Sequence, residues 1–270
     1  MKEALEGARV LLCLVFLIYA SWSDFKTREA SNWVWAILAP LAFILAALQF
    51  FLFSPELPLV QILQSYVLSF TVTSALSITL FYAGAFGGAD AKAFMCLAIA
   101  LPFYPANILQ PYSNVVSPLS QSFFTITIFS NAVLLAALSV LYIMARNLSW
   151  RQRTKKNLFE GVEKDSKWRK ILVFLCGYKM DIVELEKKEY LYPLEDFVEN
   201  ERKLLVVPKD EGREEVVGRL RKANLERKLQ NGVWATPGLP MLIFVTIGLI
   251  VALFYGDIVW VIVRSALGYS

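Results

Sequence analysis

Six apolar stretches, most of them close to the length of a bilayer crossing, constrain this 270-residue chain more than any other feature. A hydrocarbon core of about 30 Å asks for about 20 apolar residues per helix. The stretches cover residues 5–22, 33–53, 59–81, 89–103, 123–144 and 239–263. In lipid every backbone N–H and C=O must find a partner inside the structure, so runs of this kind become helices. The fourth is the shortest and opens beside Asp90 and Lys92. Five further spans follow the first, which is therefore expected to be a retained helix and not a cleaved leader. With 57% hydrophobic residues the chain exceeds the roughly 45–50% of soluble domains, which excludes disorder and a plain cytosolic domain.

The charges are not spread along the chain. Of 27 Lys and Arg, 21 lie between Arg146 and Leu239, as do 16 of the 23 Asp and Glu. That segment mixes short apolar runs (residues 171–175 and 203–207) with a charged helical pattern over residues 216–230, the mark of a small α+β unit. The expected fold class is a membrane all-α protein with six transmembrane helices and a small cytoplasmic α+β domain between helices five and six. Residues 1–146 form the first membrane part, 147–238 the soluble domain, and 239–270 the last helix and C-terminus. Lys26 and Arg28 follow the first span, Lys92 precedes the fourth, and the large insert follows the fifth. Residues 54–58 and 102–122 carry no Lys or Arg. Basic residues in every second loop place the N-terminus outside and the insert in the cytoplasm. Ser69, Thr73 and Ser77 share one stripe of the third span, where small residues let helices pack closely.

Three isolated cysteines and no histidine remove much chemistry. Cys13, Cys96 and Cys176 form no CxxC pair, which argues against a disulfide framework or a structural zinc site. Histidine-based triads, HExxH metal sites and imidazole bases are excluded outright. Acid–base work falls to Asp, Glu, Lys, Tyr or Cys. Acids at membrane depth are costly and mark function by default. Seven acids lie outside the insert: Glu3, Glu6, Asp24, Glu29, Glu56, Asp90 and Asp257. Two spans separate Asp24 from Asp90, so the chain returns to the same side of the bilayer. Asp257 lies far along the last span and is expected at the outer interface. Small residues Gly87, Gly88 and Ala89 directly precede Asp90, allowing a tight turn and close backbone approach. The competing structural reading is a glycine turn in which Asp90 caps a helix.

Gly87-Gly88-Ala89-Asp90 resembles the GxGD motif of polytopic aspartic peptidases, and Lys92 fits the GxGDxK form of the type IV prepilin peptidases. Their other aspartate sits in D-x-[RK]-x-R-x-[IV]-P-N after the first helix. Here residues 24–32 match it at Asp24, Lys26, Arg28 and Asn32. Trp234-Ala235-Thr236-Pro237, after a charged insert, is similar to the archaeal preflagellin peptidases in particular. Two departures stand out: Ala89 replaces the second motif glycine, and Ala30-Ser31 replaces the usual Ile-Pro.

The resemblance implies a membrane aspartic endopeptidase that removes class III signal peptides from preflagellin- or prepilin-like proteins, without methyltransferase activity. It implies Asp24 and Asp90 as the catalytic pair. Gly87, Gly88, Ala89, Lys92, Lys26, Arg28 and Asn32 are motif support, and Glu29 is the acid offered to a basic leader. No metal and no cofactor is expected. The partners are the protein substrate and the bilayer, with no nucleic acid. The alternative reading is a small proton- or cation-coupled transporter that uses Asp24 and Asp90 as ion sites.

Overall fold

The computed structural model describes residues 1–53, 59–198, 201–205, 212–229, 231–237 and 240–268. The expected loop at 54–58 lies outside them, as do the ends of the 203–207 and 216–230 patterns. The chain divides into two compact units, Met1–Ala136 with Pro240–Ser270, and Ala137–Leu239.

The first unit is helical. It contains α1 (Lys2–Thr27), α2 (Asn32–Phe53), α3 (Leu59–Tyr82), α4 (Gly88–Ala100), the short α5 (Pro118–Ser122) and the start of α6 (Phe124–Thr154). α10 (Met241–Phe254) and α11 (Ile258–Ala266) complete it. At 1.5 Å per residue, α1 is about 39 Å long, enough for a full crossing. Among the described residues four helices are long and apolar enough to span a membrane, or five if α10 and α11 count as one.

Two of the six expected spans differ from straight crossings. α4 stops at Ala100, so its 13 residues reach about 20 Å, short of the hydrocarbon thickness. It is also the most enclosed helix, with Ala91, Ala93, Phe94, Cys96, Leu97, Ala98 and Ala100 buried. Its alanines let α1, α2, α3 and α10 close around it. The last stretch, expected to be one helix, bends by 58° between α10 and α11. Asp257 causes the restart, because its side chain caps α11 by accepting from the Trp260 N–H at 3.0 Å. Its second oxygen accepts from Ser117 Oγ at 2.8 Å. Asn131 steadies the break, donating to the Gly256 carbonyl and accepting from the Ile258 N–H.

The second unit is small and mixed. After the rest of α6 come α7 (Lys167–Cys176), β1 (Tyr178–Met180), α8 (Ile182–Lys187), β2 (Leu191–Pro193), β3 (Glu195–Val198), β4 (Glu201–Leu204), α9 (Arg213–Leu225) and β5 (Val233–Pro237). β5 lies between β1 and β2, antiparallel to both, with Tyr178 opposite Ala235 and Leu191 opposite Pro237. β3 and β4 form a separate antiparallel pair. The apolar run 171–175 belongs to α7. Trp234 is fully buried against Leu158, Val162, Val173, Leu194 and Leu204. Beside it sits an enclosed charge group in which Arg202 Nη2 meets Glu195 Oε1 at 2.6 Å and Lys179 Nζ lies 4.0 Å from Glu195 Oε2. Burial pushes the Lys179 ammonium down to about 8, because desolvation disfavours the charged form.

Candidate active site

Asp24 lies in the last turn of α1. The helix ends where Arg28 turns left-handed (φ 59°), and the Arg28 N–H returns to the Asp24 carbonyl at 2.9 Å. Hydroxyls hold the chain that follows. Ser23 Oγ donates to the Glu29 carbonyl at 2.8 Å, and Thr27 Oγ1 lies 2.9 Å from the Ser23 carbonyl and 3.1 Å from that of Glu29. α2 then begins at Asn32. The Asp24 carboxyl is half-buried and takes the backbone N–H of Leu242, at the start of α10. The first N–H groups of a helix lack intrahelical acceptors, so a carboxylate there is well placed. α1 is fastened to α10 nearby: Ser21 Oγ donates to the Leu242 carbonyl at 2.8 Å and lies 2.7 Å from Thr246 Oγ1.

Asp90 is the third residue of α4 and is 8% exposed. Its Oδ2 accepts the Gly87 N–H at 2.9 Å, which is one half of a capping box; Gly87, the cap residue, has no side chain to make the other half. The competing reading puts Asp90 at the cap position itself; the cap residue is instead Gly87, and Asp90 is the acid at the third helical position that reaches back to it. A Cβ on Gly87 would stand 3.1 Å from that oxygen, whereas one on Gly88 would meet only Phe81 Cε2 at 3.7 Å. Gly87 itself is extended (φ −72°, ψ 160°), and the left-handed residue of this turn is Gly84 (φ 73°). The turn freedom expected of Gly87 and Gly88 thus resides at Gly84, while Gly87 supplies clearance for the carboxylate.

These features converge at one end of the helical unit. α1 packs on α4, and Asp24 is among the charges acting on Asp90. Asn32 and Lys92, each from a different motif, are joined directly: Lys92 Nζ donates to Asn32 Oδ1 at 2.6 Å. Lys26 is turned elsewhere, with its Nζ 4.9 Å from the centre of the Trp22 ring. The Glu29 side chain is exposed, and Ala89 is partly covered beside Asp90. Asp257 does not join the group. It lies some fifteen residues along from Leu242, about 23 Å by helical rise, and its two oxygens are engaged in the α11 cap. Sequence reading missed Leu242, Ser21 and Thr246, and no spacing marks them, because their partners lie over 220 positions away.

Comparison with known proteins gives matches along most of the chain. A family model described as the type IV leader peptidase family matches residues 11–144, and one described as the archaeal peptidase A24 C-terminus, type II, matches residues 169–258. A preflagellin peptidase of Methanococcus voltae is 25% identical, aligned over 90% of this chain and 93% of that protein. A preflagellin peptidase of Methanocaldococcus jannaschii is 24% identical over 93% of this chain and 95% of its own. One of Methanococcus maripaludis is 23% identical over 89% and 92%. With both family models matched in order along the chain, this protein belongs to the type IV leader peptidase family.

Proposed function

We propose that the protein is a membrane-embedded aspartic endopeptidase that removes the short signal peptide from preflagellin- or prepilin-like proteins. Asp24 and Asp90 carry the reaction. The observation that supports this most is that the two stand on α1 and α4, which pack together, with Lys92 and Asn32 bridging the two motifs at 2.6 Å. Two carboxyls in this position share one proton, since neighbouring like charges resist joint ionisation. The ionised member takes a proton from water as the oxygen attacks the scissile carbonyl. The protonated member donates to the carbonyl oxygen, and a proton then passes to the leaving amine. Gly87, without a side chain, leaves room for the Asp90 carboxyl.

The cytoplasmic face is assigned to the aspartate end, with the N-terminus outside and the charged segment 147–238 cytoplasmic by the Lys/Arg pattern of the loops. There the exposed Glu29 meets a basic leader, and Lys26 and Arg28 position the 28–31 turn near phospholipid headgroups. The named relatives and the family match favour peptidase over a transporter using the same two acids.

The test is cleavage of a preflagellin by membranes containing the protein. Asp24→Asn and Asp90→Asn each abolish processing, and the double variant is no worse than either, because the pair acts as a unit. Asp257→Asn stays active, since Asn caps a helix about as well as Asp. Substantial activity in either single variant sinks the dyad, and no cleavage by the unaltered protein favours the transporter.

A further inference from the structure

In the second unit, α7 turns an apolar face away from the core it helps to build. Trp168, Ile171, Leu172 and Leu175 recur at the i, i+3, i+4, i+7 spacing that puts them on one stripe. Trp168 is 76% exposed, Ile171 47% and Leu172 42%, while Leu175 is partly covered. The helix packs inward through Val173, buried in the cluster around Trp234, and through Phe174 beside it. Single exposed apolar residues are ordinary, but four on one stripe mark a surface that something covers. Lys167 and Arg169 flank the stripe, and the helix carries no acid. Arg169 also meets Asp165 at 3.5 Å, and Lys170 is turned back to the Glu163 carbonyl at 2.7 Å.

Hydrogen bonds within the same unit fix where this helix ends. α6 is long and apolar enough to cross a bilayer, and its apolar stretch runs to Met144. Three residues on, buried Asn147 donates through Nδ2 to the Phe174 carbonyl at 3.0 Å and the Gly177 carbonyl at 2.8 Å, satisfying the C-terminal end of α7. The Arg146 guanidinium lies 3.6 Å from the centre of the Tyr178 ring. Elsewhere the two helices do not run against each other. Three residues of helical rise are about 4.5 Å, and the interfacial layer outside the hydrocarbon is about 5–7 Å deep. The C-terminal end of α7 is thus held at headgroup level by the helix that leaves the membrane there. Residues 145–159 of that exit carry five bases (Arg146, Arg151, Arg153, Lys155 and Lys156) and no acid, a charge that suits anionic lipid.

We propose that α7 is an interfacial helix that lies on the anionic leaflet from which α6 emerges. Trp168, Ile171, Leu172 and Leu175 enter the boundary between headgroups and acyl chains, and Lys167 and Arg169 pair with lipid phosphates. An indole suits that depth, since its ring is apolar and its N–H reaches the wet layer. The contact is independent of the aspartate chemistry, and its failure would leave the peptidase reading untouched.

The full chain with Cys176→Ser is reconstituted in nanodiscs of phosphatidylcholine and phosphatidylglycerol; Cys13 and Cys96 are buried and stay unlabelled. A nitroxide is attached to Ile171→Cys, to Leu172→Cys or, as the reference, to Glu215→Cys, whose native side chain is 79% exposed on α9. Electron paramagnetic resonance compares collisions with oxygen, which concentrates in lipid, and with a nickel chelate, which stays in water. At 171 and 172 the chelate collides at least about fivefold less often than at 215, and oxygen at least as often, as for groups about 5–10 Å into the headgroup and acyl boundary. Replacing phosphatidylglycerol by phosphatidylcholine, or adding Lys167→Glu with Arg169→Glu, raises chelate access at 172 by about threefold or more. Chelate access at 171 and 172 equal to that at 215 overturns the proposal. Low access to both reagents also overturns it, assigning the stripe to contact with a second copy or another protein. Chelate access that ignores both the lipid charge and the charge reversals overturns it as well, because the proposed surface is anionic.

Discussion

Gly87→Ala isolates the part of the site that depends on clearance alone. The added Cβ would lie 3.1 Å from Asp90 Oδ2, closer than carbon and oxygen ordinarily sit, so the carboxyl must retreat by a few tenths of an ångström. The oxygen that retreats is the one that accepts the Gly87 N–H at 2.9 Å. A hydrogen bond to a charged group contributes about 1.5–3 kcal/mol net, and lengthening it forfeits part of that. Displacement of a reacting group adds its own loss, since catalysis is sensitive to sub-ångström placement. Together these weaken transition-state stabilisation by about 1–2 kcal/mol, a fall in kcat/KM of about 5- to 30-fold. Gly88→Ala is the matched change, because its Cβ would make only an ordinary 3.7 Å contact with Phe81. It should stay within about twofold of the unaltered enzyme. The measurement is the initial rate of preflagellin cleavage below saturation, on protein matched for folded amount by size-exclusion profile. Equal rates for Gly87→Ala and the unaltered protein, or equal losses at 87 and 88, would refute the clearance argument.

Three other outcomes follow from the same geometry. Asn32→Ala and Lys92→Ala should each slow cleavage several-fold, and the double variant should be no slower than the worse single; simple additivity in that cycle would show that the 2.6 Å bond does not couple the motifs. A tag placed within 102–122 should be labelled from outside intact cells and one within 147–198 only after permeabilisation; the reverse pattern would invert the proposed orientation. In the second unit, Lys179 binds its proton more weakly when folded than when unfolded, so between about pH 8 and the ordinary lysine value the unfolded chain carries more protons. Raising pH through that window should therefore strengthen hydrogen-exchange protection of 178–180 and 233–235, corrected for intrinsic rates, and Lys179→Met should abolish that rise. A slope that survives the substitution would move the effect to another group.

Much of the helical architecture is legible in the sequence because a bilayer imposes a one-dimensional rule. Apolar residues must run for about 20 positions, and backbone groups must pair within the run. That rule marks α1, α2, α3 and the first part of α6 without reference to any partner. It also carries a parity argument that puts Asp24 and Asp90 at the same end, before any contact is known. The buried state of Ser69, Thr73 and Ser77 follows from spacing in the same way. Local pattern likewise marks the charged insert as a unit apart.

What tertiary structure alone decided are the lateral relations. Hydropathy alone carries the fourth stretch on to residue 103, whereas α4 ends at Ala100 with Leu101 as its cap, because Pro102 cannot continue the helix; that stop is a local one, unlike those that follow. Hydropathy cannot see the 58° bend before α11, which depends on Ser117 and Asn131 reaching Asp257 and its neighbours from elsewhere in the chain. It gives no hint that Leu242 offers its N–H to Asp24, that Lys92 meets Asn32, or that Glu6 gathers Gln49 and Asn107. Periodicity records which face of a helix is apolar, but not which helix lies against it. Those pairings join residues tens to hundreds of positions apart, and only the packed bundle brings their polar atoms within hydrogen-bonding distance.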